Sequence, residues 1–294
     1  MLNHTAILRN FTLYAQQLQA HFEFLKQKKQ ERSVKMADWL SQQNLTLIGM
    51  ISSIVAGLGT GLGAIPVFFT RRISDKTINA MLGFAAGVML AATSFSLVVP
   101  AIEKSGGGLM GAVNVLVGIM LGGLFLDYID KAVPHFHSVA GMEGGQKSWN
   151  RIWLFIIAIT IHNFPEGLAV GAGFGDFDYA NGLSLTIGIG IQNMPEGLAV
   201  AMALATQENY PLGKAFFISL LTGLVEPVGA VIGLALTQLA RPILPITLAF
   251  AAGAMLFVIS DEMIPETHRR GQQRIATYGV LIGFAVMIIL DTLI

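Results

Sequence analysis

The sequence contains no cysteine among its 294 residues, and only 12% of its residues are charged. The absence of cysteine excludes disulfide bonds, thiolate metal ligands and cysteine nucleophiles. A soluble domain carries about twice this fraction of charged residues, because they cover its surface. Since 53% of the residues are also hydrophobic, the chain is predicted to be an integral membrane protein.

An excess of either charge is missing as well. Lys and Arg together number 18, as do Asp and Glu, so the formal net charge is zero at pH 7. This balance gives no indication of a nucleic acid partner, and the predicted environment is the lipid bilayer. The first 43 residues differ from the rest, because they combine scattered apolar residues with the basic run "KQKKQER". We expect 1–43 to be an amphipathic or partly disordered tail, followed by a membrane domain over 44–294.

Eight apolar stretches follow the tail, each long enough to cross about 30 Å of hydrocarbon as a helix. They are predicted at 44–69, 77–101, 109–130, 151–174, 181–205, 212–239, 243–264 and 274–294. One set of alternate loops, including the longer loop near 131–150, holds ten basic residues, and the other set holds two. Since basic loops stay in the cytoplasm, both termini are predicted to lie outside it.

A polar motif recurs inside three of these apolar stretches. "HNFPEG" begins at residue 162, "QNMPEG" at 192, and "VEPVGA" at 225, so Glu166, Glu196 and Glu226 follow one another at intervals of thirty residues. Thirty residues correspond to one span and one short loop, so consecutive copies lie on antiparallel neighbours. The three carboxylates are therefore expected at one depth near the middle of the membrane. A proline next to each one is expected to kink its helix, as occurs where backbone lines a polar cavity.

The side chains around these carboxylates are suited to binding a cation. His162 and Glu166 lie four residues apart and share a helix face, and Gln192 and Glu196 repeat this arrangement. Asn163 and Asn193 are adjacent to them. Carboxylate, imidazole and amide groups suit Zn²⁺, Fe²⁺, Mn²⁺ or Cd²⁺ better than Cu⁺, and one or two divalent ions balance the charge. Interhelical hydrogen bonding without any ion is the structural alternative.

These three segments, in this order and spacing, resemble the signature helices four, five and six of the ZIP family of divalent-metal transporters. The branch that the chain resembles most is the bacterial GufA type, and the similarity covers the sequence after the tail, including "DEMIPETHRRG". The resemblance implies an all-α membrane protein with eight transmembrane helices in a 3+2+3 pseudo-two-fold inverted repeat. It also implies a homodimer in the bacterial inner membrane, and a bundle of helices one, four, five and six that moves against a scaffold.

The same resemblance implies a binuclear metal centre in the central helices. One site would consist of His162, Glu166, Gln192 and Glu196. The other would consist of Asn163, Asn193 and Glu226, with the carboxylates of Glu166 and Glu196 bridging the two ions. Asn193 departs from the Asp that close bacterial relatives can have at this position, which weakens the second set of ligands.

Further candidates lie towards the two ends of the spans. On the outer side, Glu103 and Asp291 are candidates for metal entry, and Ser96 and Met89 for the lining of the path. On the cytoplasmic side, the candidates for metal exit are Glu262, Asp261, His268, His135 and His137. Acidic groups near a pore mouth raise the local concentration of cations.

The leading prediction is therefore a transporter that moves divalent transition metals into the cytoplasm, without a catalytic cofactor or a chemical step. A cation/calcium exchanger is the first alternative, but Ca²⁺ prefers oxygen ligands, and the repeats of such exchangers lie in two separated halves. A membrane metalloenzyme is the second, and it is disfavoured because the chain contains no H-E-x-x-H sequence.

Overall fold

A computed structural model describes residues 44–132, 135–137, 141–143, 151–239, 241–268 and 273–294. The predicted tail, 1–43, lies outside the described residues. The described part forms eight long helices, which confirms the all-α membrane fold. They are α1 (Leu45–Ala64, continued by a 3₁₀ turn, Ile65–Phe68), α2 (Asp75–Lys104), α3 (Gly108–Ala132), α4 (Arg151–Gly173), α5 (Tyr179–Ala205), α6 (Leu212–Leu239), α7 (Leu244–His268) and α8 (Gln273–Leu293).

Seven of the eight helices described are long and apolar enough to cross a membrane. The remaining helix, α5, has 27 residues and only one charged side chain. Its hydropathy is lower because it contains many polar and small residues. That helix carries the "QNMPEG" motif, and most of its residues from Tyr179 onward are buried. A helix inside the bundle does not contact lipid along its whole length, so it tolerates this polarity.

Two short strands occur in the loop between α3 and α4. Strand β1 (His135–His137) pairs antiparallel with β2 (Gly141–Glu143), and His135 stands opposite Glu143 in the register. This hairpin is a small addition to the predicted all-α architecture.

Local sequence determines where several helices begin. Asn44 caps α1, because its side-chain oxygen accepts hydrogen bonds from the backbone N–H groups of Thr46 and Leu47. Ser74 caps α2 in the same way, through the N–H of Thr77, and Asp178 caps α5. Such caps satisfy backbone donors that the first turn of a helix leaves unpaired.

Small residues determine how the helices pair. The most extensive contacts join α1 with α5, α4 with the second half of α6, α2 with α8, and α3 with α7. Glycines lie at all four contacts; for example, a methyl group on Gly197 of α5 would collide with the backbone of Thr60 on α1. The close approach of backbones accounts for many of the 33 glycines in this chain.

Three helices depart from regular α geometry. Helix α6 is interrupted at Leu224 and Val225, so it consists of α6a (Leu212–Gly223) and α6b (Glu226–Leu239). Helices α2 and α7 contain π-helical turns at Ala92–Val98 and Ile259–Met263. By contrast, α4 and α5 continue through Pro165 and Pro195, because the loss of one backbone donor does not end a helix by itself.

The two ends of the bundle differ in charge. The end with the loops 69–74 and 206–211 is called the basic end, because Arg71 and Arg72 lie in the first loop and Lys214 follows the second. The opposite end, with Lys104 and Asp178, is called the far end. The sequence predicts the basic end to be cytoplasmic.

Candidate metal centre

The side chains predicted from the three motifs are deeply buried, and none exposes more than 2% of its surface. They are His162, Asn163 and Glu166 on α4, Gln192, Asn193 and Glu196 on α5, and Glu226 at the first residue of α6b. Burial of polar groups at the centre of a membrane helix bundle is unfavourable unless they find partners or a ligand.

Close helix contacts bring these side chains together. Gly167 follows Glu166, and its lack of a side chain lets α4 lie against the backbone of Glu226, where α6b begins. Helix α1 closes the other side, since a methyl group on Gly57 would stand 3.4 Å from Oε1 of Glu226. The interruption of α6 therefore places Glu226 at a helix start, where the exposed N–H groups favour a negative charge.

The amide of Asn193 makes the most complete set of contacts in the cluster. Its Nδ2 donates to Oε1 of Glu226 at 2.6 Å and to the backbone carbonyl of Ala56 on α1 at 3.0 Å. Its Oδ1 accepts a hydrogen bond from Nε2 of Gln192 at 2.8 Å. Asn193 thus ties α5 to α1 and α6, and its oxygen is engaged by a neighbouring ligand candidate.

Many other polar atoms of the cluster have no hydrogen-bond partner within the described part of the chain. Both carboxylate oxygens of Glu166 and of Glu196 are in this state, together with Oε2 of Glu226. The same holds for Oε1 of Gln192 and for both side-chain polar atoms of Asn163. Buried oxygens without donors are rare in folded proteins, and each one calls for an explanation such as a bound ion.

The carboxylates also lie close enough to repel one another. Glu166 interacts electrostatically with Glu196 and Glu226, and Glu226 also interacts with Glu196. Among the described residues, no three His, Asp or Glu side chains have the spacing of a closed metal site. Amide oxygens, or small side-chain movements upon binding, are therefore needed to complete the coordination of an ion.

On the side of the basic end, the cluster continues through His162. Its Nε2 contacts Oε1 of Glu262, which lies in the π-helical turn of α7, and His162 also interacts electrostatically with Asp130 of α3. Glu262 was predicted as an exit residue, and the structure places it directly beside the predicted centre. Asp130 is buried and was not singled out from the sequence, where it reads as one of several charges at the end of α3.

At the far end, the structure brings two predicted entry residues together. Oδ1 of Asp291 on α8 accepts hydrogen bonds from the hydroxyls of Ser96 on α2, at 3.0 Å, and Ser184 on α5, at 3.2 Å. An ion pair joins Lys104 to Asp178 at 3.4 Å, above the start of α5. Ser184 was not predicted, and only its position two turns before Gln192 on α5 could have indicated it.

The remaining candidates have different surroundings. Met89 is packed among buried apolar side chains, and Glu103 makes no hydrogen bond or ion pair to Asp291 within the described residues. Asp261 is exposed, and His268 directs Nδ1 to the carbonyl of Ile264 in its own helix, at 2.8 Å. His135 and His137 lie in β1, and their roles stay predictions.

A cavity of about 1450 Å³ opens at the basic end, between α2, α4, α5 and α7. Its wall includes Ala199, which lies three residues beyond Glu196 on α5. In the described conformation, the cavity therefore extends from the basic end to within about one helical turn of the buried cluster. At the far end, the contacts of Asp291 and of Lys104 hold α2, α5 and α8 together.

The sequence is also similar to known proteins. The family model described as "ZIP Zinc transporter" matches residues 137–291, a stretch that includes all three motifs. The chain is 48% identical over 248 residues to "Zinc transporter GufA" of Myxococcus xanthus, which covers 83% of this chain and 97% of that protein.

More distant similarities extend to other bacteria and to animals. The chain is 45% identical over 238 residues to "Zinc transporter ZIPB" of Bordetella bronchiseptica, covering 79% of this chain and 77% of that protein. It is 35% identical to "Zinc transporter ZIP11" of Homo sapiens, covering 79% of this chain and 93% of that protein.

Proposed function

The chain belongs to the ZIP family, and from this premise we propose that it carries divalent transition-metal ions across a membrane, with Zn²⁺ as the main substrate. Fe²⁺, Mn²⁺ and Cd²⁺ are the further substrates that the ligand chemistry admits. The similar proteins of Myxococcus xanthus, Bordetella bronchiseptica and Homo sapiens are named as zinc transporters, which supports zinc as the substrate. The ion is substrate, and the protein contributes binding groups and a change of access.

One observation carries this proposal: the polar cluster is buried, yet five of the six carboxylate oxygens of Glu166, Glu196 and Glu226 accept no hydrogen bond within the described residues. Three buried carboxylates beside a single imidazole repel one another, and a divalent cation removes that repulsion. Structural hydrogen bonding alone would have paired these oxygens with donors. The imidazole of His162 favours a transition metal over Ca²⁺, which prefers oxygen ligands.

The binding set is proposed as the seven side chains of the three motifs, with one or two ions bound among them. His162, Glu166, Gln192 and Glu196 form the first set of ligands, and Asn163, Asn193 and Glu226 form the second. Hydrogen bonding of Asn193 to Glu226 is the reason to expect weaker binding at the second set.

Transport is proposed to run from the far end to the basic end. In the described conformation the cavity at the basic end approaches the cluster, and His162 contacts Glu262 on that side. An ion could leave by exchanging the ligands of the centre for Glu262 and then for water. A second conformation, open at the far end, is required, as in other transporters that bind substrate near the middle of the membrane.

The proposal includes an orientation and an assembly. Ten basic residues in one set of loops against two in the other favour a cytoplasmic basic end in the bacterial inner membrane. The pairing of α1 with α5, α4 with α6b, α2 with α8 and α3 with α7 supports the proposed 3+2+3 inverted repeat. A homodimer, implied by the family resemblance, completes the proposal.

Uptake by the purified protein in proteoliposomes tests the function. Radiolabelled Zn²⁺, Fe²⁺, Mn²⁺, Cd²⁺ and Ca²⁺ are offered to the wild type and to Glu166→Gln, which keeps the shape of the side chain but removes its charge. We expect wild-type uptake of Zn²⁺ and a loss of at least about tenfold in the variant, because even the loss of a group that only supports a metal ligand costs roughly 10–100-fold.

Asp127→Asn is the matched control, because Asp127 is an exposed carboxylate paired with Lys131 on the surface of α3. Its uptake should equal that of the wild type. Uptake of Ca²⁺ alone would contradict transition-metal transport, and undiminished uptake by Glu166→Gln would show that the ion does not pass the cluster.

A further inference from the structure

The cavity at the basic end is larger than the passage of a bare ion requires. Its volume of about 1450 Å³ exceeds the range of roughly 300–1,000 Å³ that is usual for small-molecule sites. Its walls come from the α1–α2 loop, the first turns of α2 and α4, the end of α5, the α5–α6 loop and the end of α7. A cavity of this size has room for an organic ligand beside a metal ion.

Two unpartnered amide groups line this cavity. Asn79 on α2 exposes 4% of its surface, and its Nδ2 has no hydrogen-bond partner within the described residues. Nε2 of Gln207, in the α5–α6 loop, is also buried without a partner. Both residues belong to the cavity wall. Buried N–H groups without an acceptor are unfavourable, so the two amides indicate a ligand that brings acceptor oxygens.

Positive charge lies at the same wall. Arg71 and Arg72 line the cavity from the α1–α2 loop. Nη1 of Arg71 donates to the backbone carbonyl of Tyr210 at 3.3 Å, which joins this loop to the segment that carries Gln207. Guanidinium groups bind carboxylates through paired hydrogen bonds, whereas they repel a free divalent cation.

The wall also contains the carboxylates of Asp75, Glu208 and Glu266. The cavity therefore presents both signs of charge, together with two unsatisfied amide donors. An anion that itself holds a divalent cation suits such a wall. Its free oxygens accept from the amide and guanidinium donors, and its metal ion is attracted to the carboxylates.

We propose that this cavity binds a small polycarboxylate that chelates divalent cations, and that the bound anion receives the ion from the centre. The transfer is a ligand exchange, in which carboxylate oxygens of the anion replace protein ligands without any change of oxidation state. The cavity reaches Ala199, one turn from Glu196, so the acceptor comes close to the ion before it leaves. The direction of transfer rests on the proposed function, whereas binding of the anion does not.

Equilibrium dialysis with radiolabelled citrate, on the full-length protein in detergent and without metal, tests the site. We expect saturable binding to the wild type and at least a tenfold weaker affinity for the double variant Asn79→Leu, Gln207→Leu. Asn181→Leu is the matched control, because its Nδ2 is also buried and unpartnered but lies at the start of α5, near the far end. The control should bind citrate as the wild type does.

Competition experiments distinguish a polycarboxylate from other ligands that carry acceptor oxygens, namely phosphate and a lipid headgroup. Inorganic phosphate and phosphatidylglycerol are added to the citrate-loaded protein, and citrate should stay bound at equal concentrations of either. The proposal would be overturned if the lipid displaced citrate, if phosphate bound as well as citrate, or if the double variant bound citrate with wild-type affinity. The two amides would then be hydrated.

Zinc uptake by the same preparations keeps the two proposals distinguishable. Wild-type protein that binds citrate but does not take up Zn²⁺ would contradict the transport function and leave the anion site in place. The Zn²⁺-dependent rise in unfolding temperature of the double variant shows that it is folded, and it should match that of the wild type.

Discussion

At the scale of single residues, Asn193 distinguishes this centre. Its amide group donates hydrogen bonds to Glu226 and to the backbone carbonyl of Ala56. The donated hydrogen atom therefore stabilises the carboxylate of Glu226 in place of a metal ion. An aspartate at this position could not make either contact. The balance between amide and carboxylate at this residue is therefore expected to control how strongly the second set of ligands binds an ion.

The variant Asn193→Asp tests this. Without metal we expect it to unfold at a lower temperature than the wild type, because a buried carboxylate beside Glu226 loses two hydrogen bonds and adds repulsion. Zn²⁺ should raise its unfolding temperature by more than it raises that of the wild type, because the variant offers one more charged ligand. Thermal unfolding in detergent, with and without Zn²⁺, measures both effects.

Asn181→Asp, at the start of α5, is the control for a new, partly buried carboxylate on the same helix. Its response to Zn²⁺ should stay that of the wild type. Equal responses of Asn193→Asp and the wild type would place residue 193 outside the set of metal ligands.

At the scale of helices, the fold depends on contacts in which one backbone lies directly against another. Gly87 of α2 faces α8, where a methyl group would stand 2.8 Å from the backbone nitrogen of Phe284. Similar contacts join α3 with α7 and α4 with α6b. Since lipid is as apolar as the side chains, this close packing replaces the hydrophobic effect as the source of helix association.

We expect Gly87→Ala to lower the unfolding temperature. Alanine favours the helix by up to about 1 kcal/mol, but overpacking against α8 costs about 1–3 kcal/mol. Gly213→Ala, on α6a, is the control, because a methyl group there has no neighbour within 4 Å. The control should unfold at the wild-type temperature or above, and an equal effect of the two substitutions would contradict close packing at Gly87.

The irregular parts of the helices coincide with the residues that carry the proposed path. The π-helical turn of α2 contains Ser96, which contacts Asp291, and that of α7 contains Glu262, which contacts His162. The interruption of α6 precedes Glu226. Because π-turns and breaks are frequent at functional sites, these positions agree with a path that passes all three.

At the scale of the whole molecule, the described conformation is open at one end and held together at the other. The cavity occupies the basic end, whereas Asp291 and the ion pair of Lys104 with Asp178 connect helices at the far end. Transport requires these far-end contacts to separate. Because the pair is partly exposed, we expect it to contribute little to stability and to open readily.

A crosslink at the far end should therefore stop transport. The chain contains no cysteine, so the double variant Lys104→Cys, Asp178→Cys carries the only two thiols. Oxidation or a short bifunctional thiol reagent should abolish Zn²⁺ uptake, and reduction of the disulfide should restore it. The single variants are the controls, and unaffected uptake by the crosslinked protein would show that these two residues do not separate during transport.

Much of this molecule followed from local sequence. The hydropathy of the chain placed all eight helices to within a few residues, because any segment of about 20 apolar residues must satisfy its backbone hydrogen bonds internally in lipid. The repeat of Glu166, Glu196 and Glu226 located the buried cluster, because a carboxylate at the centre of a membrane helix needs a partner or an ion. Local sequence did not decide how each helix accommodates its proline, since α6 is interrupted next to Pro227 whereas α4 and α5 continue through Pro165 and Pro195.

Other features depended on contacts between residues far apart in the chain. Asn193 bonds to Glu226, Ser184 to Asp291, and His162 to Glu262, and no pattern near any of these residues names its partner. The cavity with Asn79 and Gln207 likewise forms only where the ends of several helices meet. By itself the sequence determined which segments cross the membrane and which polar residues they carry inside it, because both depend on local hydropathy. Tertiary structure decided which of those polar groups meet and which end is open, because both depend on helices that approach closely at glycines distant in sequence.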